Sequence, residues 1–190
     1  MEIRVTPTSL PEVVMIETEV RGDARGFFTE TYHRQEYVKH GLDAMMVQDN
    51  HSRSARGVLR GLHYQADPAP QVKLVRCTFG SLLDVAVDLR VGSPNFGKWV
   101  AVELSAENKR LLWVPIGFGH GFVALSEFAE IQYKCSDYYL PSAEGAVRWD
   151  DPDLAIDWPI AEPLLSQRDQ QAMSLQTYLE NPAFRYERGA

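Results

Sequence analysis

The sequence has little cysteine and no excess of positive charge, and each shortage argues against a class of protein. Of its 190 residues only Cys77 and Cys135 are cysteines, and they do not form a CxxC pair. We expect both to be reduced strand residues; a disulfide or a reactive thiol is the less favoured alternative. The net charge of −7 argues against nucleic acid as a partner, because duplex binding needs a concentrated basic face.

Long apolar runs are also missing, and we expect no signal peptide. No stretch is apolar over a length that could cross a bilayer, so we expect no membrane association. The first residues, MEIRVTPTSLPEV, lack a basic region followed by an apolar one, which is the pattern of a signal peptide. A cytoplasmic location is the resulting expectation. The composition, 45% hydrophobic and 24% charged, is that of a globular protein, and the length fits one domain over residues 1–190.

Short segments rich in β-branched and aromatic residues recur along the chain, separated by Gly, Pro, Asn and Asp. They predict a mainly β protein, a sandwich or a barrel. Helical periodicity is scarce: we predict one or two turns within residues 34–42 and a helix over residues 166–180, with Ser166 and Asp169 near its start. The predicted strands are EIRVTP, EVVMIETEV, GFFTETYH, RGLHYQ, VKLVRCTFG, SLLDVAVDLR, KWVAVELS, RLLWVP, HGFVALS and EIQYKCSDYYL.

Strand alternation places several polar residues where a cavity could use them. In VKLVRC, Lys73 shares a face with apolar side chains, which indicates an open barrel end or a functional cavity. In LLDVAVDLR, Asp84 and Asp88 lie on the face opposite the valines, and in EIQYKC Tyr133 shares a face with isoleucine and cysteine. Each residue alone would be read as a solvated or wall residue, but together they favour a cavity.

His63 in RGLHYQ and His120 in PIGFGH raise the question of a metal centre. PIGFGH matches the P-x-G-x-x-H element of cupin barrels, in which the histidine points into the barrel. Metal-binding cupins usually supply an HxH pair and a glutamate as well, but the residue two positions after His63 is Gln65. We predict no metal, and a site of two histidines and a carboxylate is a minor alternative. The other histidines are expected at the surface: His33, His40 and His51.

Longer motifs carry a specific family likeness. They are RGDARGFFTETY, VQDNHSRSARGVLRGLHYQ, KLVRCTFGSLLDVAVDLRVGSPNFGKW, LSAENKRLLWVPIGFGHGF, YKCSDYYLPSAEGAVRWDDPDLAIDWP and LLSQRD. In this order, over about residues 12 to 172, they resemble the dTDP-4-dehydrorhamnose 3,5-epimerases. The resemblance implies a cupin-type β-barrel or jelly roll with no metal and no cofactor. It also implies a homodimer in which residues near 25–30 complete the site of the partner.

The implied substrate is a dTDP-linked 4-keto-6-deoxyhexose. The reaction inverts carbons 3 and 5 of dTDP-4-dehydro-6-deoxy-D-glucose and gives dTDP-4-dehydro-L-rhamnose. Both carbons adjoin the C4 ketone, so their protons are acidic because the carbanion delocalises as an enolate. The chemistry needs a base on one face, a positive group at the oxyanion and an acid on the other face.

The resemblance assigns these roles to particular residues. His63 is implied as the base, and an imidazole pKa near 6.5 suits proton transfer at working pH. Asp169 is implied as the partner that fixes its tautomer, although alone it would be read as a carboxylate in a helix's first turn. Lys73 matches the lysine at the ketone oxygen, and Tyr133 matches the acid on the opposite face. Asp84 is expected to support Lys73 or His63 from behind.

Other residues are implied to bind the nucleotide part. Arg25, Arg60 and Arg168 are candidates for the diphosphate, since the guanidinium fork matches phosphate oxygens; Arg168 stands where relatives commonly have lysine. Tyr139 matches the aromatic residue that stacks on thymine, and His120 matches a histidine that contacts the substrate at the barrel mouth. Further residues at nucleotide-site positions are Phe27, Glu30, Gln48, Asn50 and Glu144.

Alternatives to the double epimerase stay open. An epimerase acting at one position only, in another deoxysugar pathway, would keep the same base, lysine and acid. A metal-dependent cupin oxygenase would require bound iron or manganese. A non-catalytic sugar-nucleotide-binding module could lose the base, but here all the aligned catalytic positions are kept, which favours the double epimerase.

One local irregularity is predicted in RGLHYQ. Arg60 and His63 have opposite strand parity, so both can face one cavity only if the chain is irregular at Gly61. We therefore predict a β-bulge at that glycine.

Overall fold

Antiparallel strands dominate the computed structural model, which describes residues 2–186. Residues 1 and 187–190 of the proposed single domain lie outside the described residues, and the assignment of one domain stays a prediction. The strands are β1 (Ile3–Pro7), β2 (Val14–Thr18), β3 (Val20–Asp23), β4 (Gly26–Thr29), β5 (Gln48–Ala55), β6 (Leu59–Gln65), β7 (Lys73–Phe79), β8 (Ser81–Asp88), β9 (Arg90–Val91), β10 (Trp99–Ser105), β11 (Leu111–Val114), β12 (Phe118–Ala124), β13 (Phe128–Cys135), β14 (Glu144–Ala146) and β15 (Phe184–Arg185).

The helices are short, as the sequence predicts. None of those formed by residues 2–186 has the length and apolar character that a bilayer span requires. They are α1 (Arg34–Lys39), α2 (Gln167–Gln170) and α3 (Leu175–Glu180), with a 3-10 turn at Pro141–Ala143.

Two antiparallel sheets face each other and enclose a core. One has six strands in the order β1-β2-β11-β7-β13-β5, and the other has five in the order β10-β8-β12-β6-β14. Val75 and Ile131 of the first sheet pack between the sheets with Ala86 and Phe122 of the second. This arrangement agrees with the predicted jelly-roll barrel.

The outer faces of both sheets are also covered. Tyr178 of α3 packs on the five-stranded sheet beside Leu62 and donates its hydroxyl hydrogen to the Leu89 carbonyl oxygen at 2.8 Å. Tyr37 of α1 packs on the six-stranded sheet against Trp113. Because central strands are buried on both faces, polar side chains that alternate with apolar ones in such strands point into the barrel and not into solvent.

The predicted helix over residues 166–180 is wrong in one respect. It is broken into α2 and α3, because the segment between them pairs with another part of the chain. Met173 accepts a backbone hydrogen bond from Arg148 at 2.8 Å and donates one to Ala146 at 3.3 Å. Ser174 then caps α3 by accepting from the Thr177 amide at 3.1 Å. A tertiary pairing therefore overrides a continuous helical pattern.

Strand β5 was missed by the sequence analysis. Its residues QDNHSRSA contain no large apolar side chain, yet their burial alternates with a period of two. The inward-facing residues Gln48, Asn50 and Ser52 line a pocket instead of packing in a core. Hydrophobic periodicity cannot detect a strand whose buried face is polar.

Candidate active site

A cavity of about 390 Å³ opens between the two sheets and contains most of the predicted site residues. Strands from both sheets contribute to it, so its walls come from distant parts of the sequence. The predicted residues that line it are Gln48, Asn50, Arg60, His63, Lys73, His120, Tyr133, Tyr139, Glu144 and Arg168.

The predicted irregularity at Gly61 is confirmed. Opposite strand β12, His120 pairs with His63 and Phe122 pairs with Arg60, so β6 has one more residue than β12 between the two pairs. Gly61 has a φ of +132°, and a Cβ atom there would lie 2.5 Å from the Gly121 Cα. The bulge turns both Arg60 and His63 toward the cavity, and a larger residue than glycine would not fit.

His63 is held by a carboxylate from the opposite end of the chain. Its Nε2 donates to Asp169 Oδ1 at 2.6 Å, and the Ser166 hydroxyl donates to Asp169 Oδ2 at 2.7 Å. Burial alone would raise the pKa of Asp169, but the hydrogen bonds from His63 and Ser166 outweigh it and lower that pKa. Both carboxylate oxygens are therefore satisfied, and His63 Nδ1 is the ring nitrogen left for a ligand.

Asp84 contacts a different histidine from the one expected. It lies on β8 and accepts a hydrogen bond from His120 Nε2 at 2.8 Å. Its second oxygen, Oδ2, is buried and has no hydrogen-bond partner among the described residues. Asp84 thus supports His120 directly, and its link to Lys73 is through charge alone, since its negative charge raises the pKa of that lysine.

Lys73 and Tyr133 both face the cavity, as their strand parity predicts. Burial lowers the pKa of Lys73, against the opposing effect of nearby acidic groups. No side chain within residues 2–186 forms a hydrogen bond or ion pair with its Nζ. Burial also raises the pKa of Tyr133, which keeps the phenol protonated at neutral pH. The cavity therefore offers a lysine amine that has no hydrogen-bond partner among the described residues, and a phenol that is a neutral proton donor.

The outer part of the cavity carries an aromatic ring and a cation joined by one carboxylate. The Tyr139 hydroxyl donates to Glu144 Oε2 at 2.6 Å, and Arg168 Nη2 lies 2.6 Å from Glu144 Oε1. Burial would raise the pKa of Glu144, but hydrogen bonds from Arg168 and Tyr139 lower it. Arg60, which also lines the cavity, donates from Nε to the Ser54 hydroxyl at 3.2 Å.

Five predicted residues do not line the cavity of their own chain: Asp84 and Asp169 contact its histidines from behind, and the other three lie elsewhere. Arg25 and Phe27 belong to the hairpin of β3 and β4, and Glu30 follows directly after it. Arg25 forms an ion pair with Asp23 at 2.5 Å while its side chain stays 90% exposed, and Phe27 is 62% exposed. The hairpin thus presents an unburied aromatic ring and a cation to its surroundings.

Several residues of the cavity were not predicted. Gln65 and Cys135 lie two positions after His63 and Tyr133, so strand parity could have found both. Ser166 was placed only at a helix start, although it also orients the carboxylate of Asp169. Gln71 lies in a loop and had no sequence signal.

The histidines and cysteines agree with most of the sequence predictions. Cys77 and Cys135 are buried and free. His40 and His51 are exposed, but His33 is partly buried. Within residues 2–186 no group of three or more histidine, cysteine, aspartate or glutamate side chains is arranged to hold a metal ion.

Comparison with known proteins gives consistent matches over nearly the whole chain. Residues 7–177 match the profile of the dTDP-4-dehydrorhamnose 3,5-epimerase family. The dTDP-4-dehydrorhamnose 3,5-epimerase of Pseudomonas aeruginosa is 55% identical over 171 residues, which cover 89% of this chain and 94% of that protein. A dTDP-4-dehydrorhamnose 3-epimerase of Streptomyces niveus is 42% identical over 174 residues, with 91% and 84% covered.

A solved structure supports the predicted cupin-type fold. It is the dTDP-6-deoxy-D-glucose-3,5-epimerase of Legionella pneumophila in complex with dTDP-4-keto-L-rhamnose. The two structures superpose with a TM-score of 0.94 and 47% sequence identity, covering 98% of this chain and 100% of the other.

Proposed function

We propose how this chain, which belongs to the dTDP-4-dehydrorhamnose 3,5-epimerase family, inverts its substrate. The chain is an isomerase that converts dTDP-4-dehydro-6-deoxy-D-glucose to dTDP-4-dehydro-L-rhamnose by epimerisation at C3 and C5. One observation carries the residue assignment: the 2.6 Å hydrogen bond from His63 to Asp169 lies at the same cavity as Lys73 and Tyr133.

His63 is the proposed base. Because Nε2 is engaged by Asp169, Nδ1 removes the proton from C3 or C5, and the C–H electrons move into the C4 carbonyl to give an enolate. Asp169 fixes the tautomer that leaves Nδ1 unprotonated and stabilises the imidazolium once the proton has moved. A positioned base of this kind contributes roughly 10²–10⁴-fold to a rate.

Lys73 stabilises the enolate oxygen. Its ammonium group has no partner among the described residues, so it can approach the C4 oxygen without first breaking an ion pair. A charge fixed in a partly desolvated cavity interacts more strongly with an oxyanion than a charge in water does. This arrangement stabilises the enolate with a side chain alone, so the proposed mechanism uses no metal ion and no cofactor.

Tyr133 completes each inversion by returning a proton to the face opposite His63. Its raised pKa means that the phenol is protonated before the reaction. Solvent then reprotonates the phenolate and takes the proton from the imidazolium, which resets both groups. Asp84 holds His120 so that this histidine contacts the sugar beside the reacting carbons.

The nucleotide occupies the outer part of the cavity. Arg60 and Arg168 bind the diphosphate, and thymine stacks on the ring of Tyr139, with Gln48 and Asn50 on the adjacent wall. Arg168 exchanges part of its contact with Glu144 for phosphate oxygens when the substrate binds. The acidic net charge of the chain is thus locally offset where the diphosphate lies.

We place Arg25, Phe27 and Glu30 in the cavity of a second copy of the chain. This accounts for an aromatic ring and a cation that stay largely exposed in their own subunit. A homodimer in which the hairpins are exchanged is the family arrangement that the sequence resemblance implies. Because the chemistry uses a nucleotide sugar and needs no membrane or nucleic acid, we also assign the protein to the cytoplasm.

Subunit mixing tests the exchanged hairpin. His63→Ala and the double variant Arg25→Ala/Phe27→Ala are each expected to be nearly inactive alone. When the two are mixed and allowed to exchange, the hairpin of the first completes the intact pocket of the second, so activity returns. A mixture that stays inactive although heterodimers form would contradict the exchange.

A deuterium-exchange experiment tests the reaction. The protein is incubated with dTDP-4-dehydro-6-deoxy-D-glucose in deuterated water, and label is located by NMR. Label at both C3 and C5 is expected. Label at C3 alone would favour the second candidate, a C3 epimerase, which the similarity to the Streptomyces niveus enzyme keeps in view. No label at either carbon would overturn the assignment.

The same assay separates the acid from the base. Tyr133→Phe removes only the phenolic proton, so exchange on the His63 face should continue while inversion stops. A Tyr133→Phe variant that still inverts both carbons would assign the acid role to another residue. Activity that disappears on treatment with a chelator and returns with a metal ion would contradict the metal-free mechanism.

A further inference from the structure

Gln65 is a buried amide at the end of β6 that the mechanism does not use. It is 5% exposed and lies opposite Glu144 in the pairing of β6 with β14. Its side chain lies at the wall of the same cavity but ends on backbone atoms. A buried primary amide is costly unless its donors and acceptor are used, so its partners indicate its role.

Those partners lie on either side of Tyr139. Gln65 Nε2 donates to the Tyr138 carbonyl oxygen at 2.9 Å, and Gln65 Oε1 accepts from the Leu140 amide at 2.9 Å. Nε2 also donates to the carbonyl oxygen of Ala69 in the loop that follows β6. One amide therefore holds the residue before and the residue after Tyr139, as a neighbouring strand would.

The segment around Tyr139 has no regular secondary structure, so its position depends on side-chain hydrogen bonds. Residues 138–140 belong to no strand or helix, and the Tyr139 ring is 51% exposed. The Tyr139 amide donates to Gln48 Oε1 at 2.9 Å, and its hydroxyl is fixed by Glu144. Without Gln65, the backbone on both sides of the ring would lose its side-chain support from β6.

We infer that Gln65 is a positioning residue that fixes the Tyr139 ring for stacking on the nucleobase and so sets the affinity for thymidine nucleotides. The inference rests on the proposed stacking of thymine on Tyr139. The hydrogen bonds of the Gln65 amide go to backbone atoms of residues 69, 138 and 140 and not to His63, Lys73 or Tyr133, so it should influence binding of the nucleotide and not proton transfer.

The test uses Gln65→Met, which removes all the amide contacts without adding charge. Calorimetry gives the dissociation constant for dTDP, and steady-state kinetics give kcat and KM for the sugar nucleotide. We expect the dissociation constant and KM to rise about tenfold, within the range of a base-stacking contact, and kcat to change by less than about twofold. Gln35→Met, on the exposed side of α1, is the matched control and should change neither value.

A double-mutant cycle identifies the route of the effect. If Gln65 acts through the ring, Gln65→Met should weaken dTDP binding no further in a Tyr139→Ala background. A full additional loss in that background would overturn the inference, and so would a fall in kcat with KM unchanged. If Tyr139→Ala binds dTDP as tightly as the unaltered protein, the proposed stacking itself is wrong, which is a separate result.

Folding is checked for each variant by circular dichroism and thermal unfolding. Gln65→Asn, which keeps an amide but shortens its reach, is measured in parallel and should give an intermediate loss of affinity. If neither variant folds, Gln65 is a structural residue and the inference is overturned.

Discussion

Two histidine–carboxylate pairs lie side by side at the cavity and differ in how many of their carboxylate oxygens are hydrogen-bonded. His63 and His120 are direct neighbours across β6 and β12. The side chain of His63 is 25% exposed, and its carboxylate partner Asp169 has hydrogen bonds to both oxygens. The side chain of His120 is 8% exposed, and its partner Asp84 keeps one oxygen without a partner among the described residues.

This difference between the two pairs indicates which histidine can act as a base. A carboxylate that is fully hydrogen-bonded holds the imidazole in one tautomer and stabilises it when it gains a proton, while partial exposure lets substrate approach. The His120–Asp84 pair is more buried, so His120 contacts the substrate without the exposure and the fully hydrogen-bonded carboxylate that a base needs. The charge of Asp84 instead opposes, in part, the lowering of the Lys73 pKa that burial causes.

The largest expected effect separates the two histidines. His63→Ala should lower kcat by roughly 10⁴-fold, the upper range for loss of a general base, and abolish deuterium exchange at C3 and C5. His120→Ala should mainly raise KM and leave exchange measurable. His40→Ala, at an exposed position, is the control for the substitution itself. Equal losses of exchange in the first two variants would contradict the distinct roles.

Substitution of Lys73 provides the next test, because it should lower kcat without lowering the free energy of unfolding. Lys73→Met should lower kcat by roughly 10²–10³-fold, as expected for loss of a group at an oxyanion. Removing a buried ammonium without a partner should leave the free energy of unfolding unchanged or raise it by up to about 1 kcal/mol. Denaturant unfolding and steady-state kinetics check both expectations against Lys98→Met, an exposed control. A large loss of stability would mean that Lys73 has a structural role.

Substitution of Asp169 or Asp84 should lower kcat less, and it compares the two histidine–carboxylate pairs directly. In Asp169→Asn the new amide can donate to His63 Nε2, which favours the tautomer with the ring proton on Nδ1 and so weakens the base; we expect kcat to fall about 10²-fold, the lower end of the range for a general base. Asp84→Asn should reduce kcat by no more than about tenfold, since His120 is not the base. Both are isosteric, so deuterium exchange measures the chemistry. The reverse order of effects would assign the base to His120.

The smallest effect is a dependence of stability on pH. The pKa of Asp169 is lowered in the folded protein from its ordinary value of 3.8. Its stabilising contribution is therefore complete above that value and is lost as pH falls through the folded-state pKa. The difference in unfolding free energy between the unaltered protein and Asp169→Asn should shrink between pH 5 and pH 2. Asp157→Asn, at an exposed site, should show no such trend.

Much of the fold followed from strand alternation. VKLVRCTFG and SLLDVAVDLR were identified because apolar side chains recur at every second position, and both are strands. Strand β5 failed the same test because its inward residues are polar. The continuous helix over residues 166–180 failed because Met173 pairs with the chain at Ala146 and Arg148. In both cases contacts with distant parts of the chain, and not the local sequence pattern, determine the secondary structure.

The candidate site likewise has features that strand alternation predicts and features that depend on tertiary contacts. Parity placed Lys73 and Tyr133 on inward faces and required the bulge at Gly61. It did not show whether Asp84 would lie beside His63 or His120, and it did not show that Phe27 would lie outside the cavity of its own chain. Those outcomes depend on which strands become neighbours and on surfaces that a single chain leaves exposed.

The residue types needed for enolate chemistry can be read from the sequence. The β-rich barrel and the faces on which many of these residues lie can be derived from it too, because they follow from a local period of two. The partners of these residues depend on the tertiary structure. Asp169 is 106 residues from His63 and Asp84 is 36 residues from His120, and strand order and α2 place each beside its histidine. A side chain's face is a local property of its strand, whereas its partner is decided by packing between distant segments.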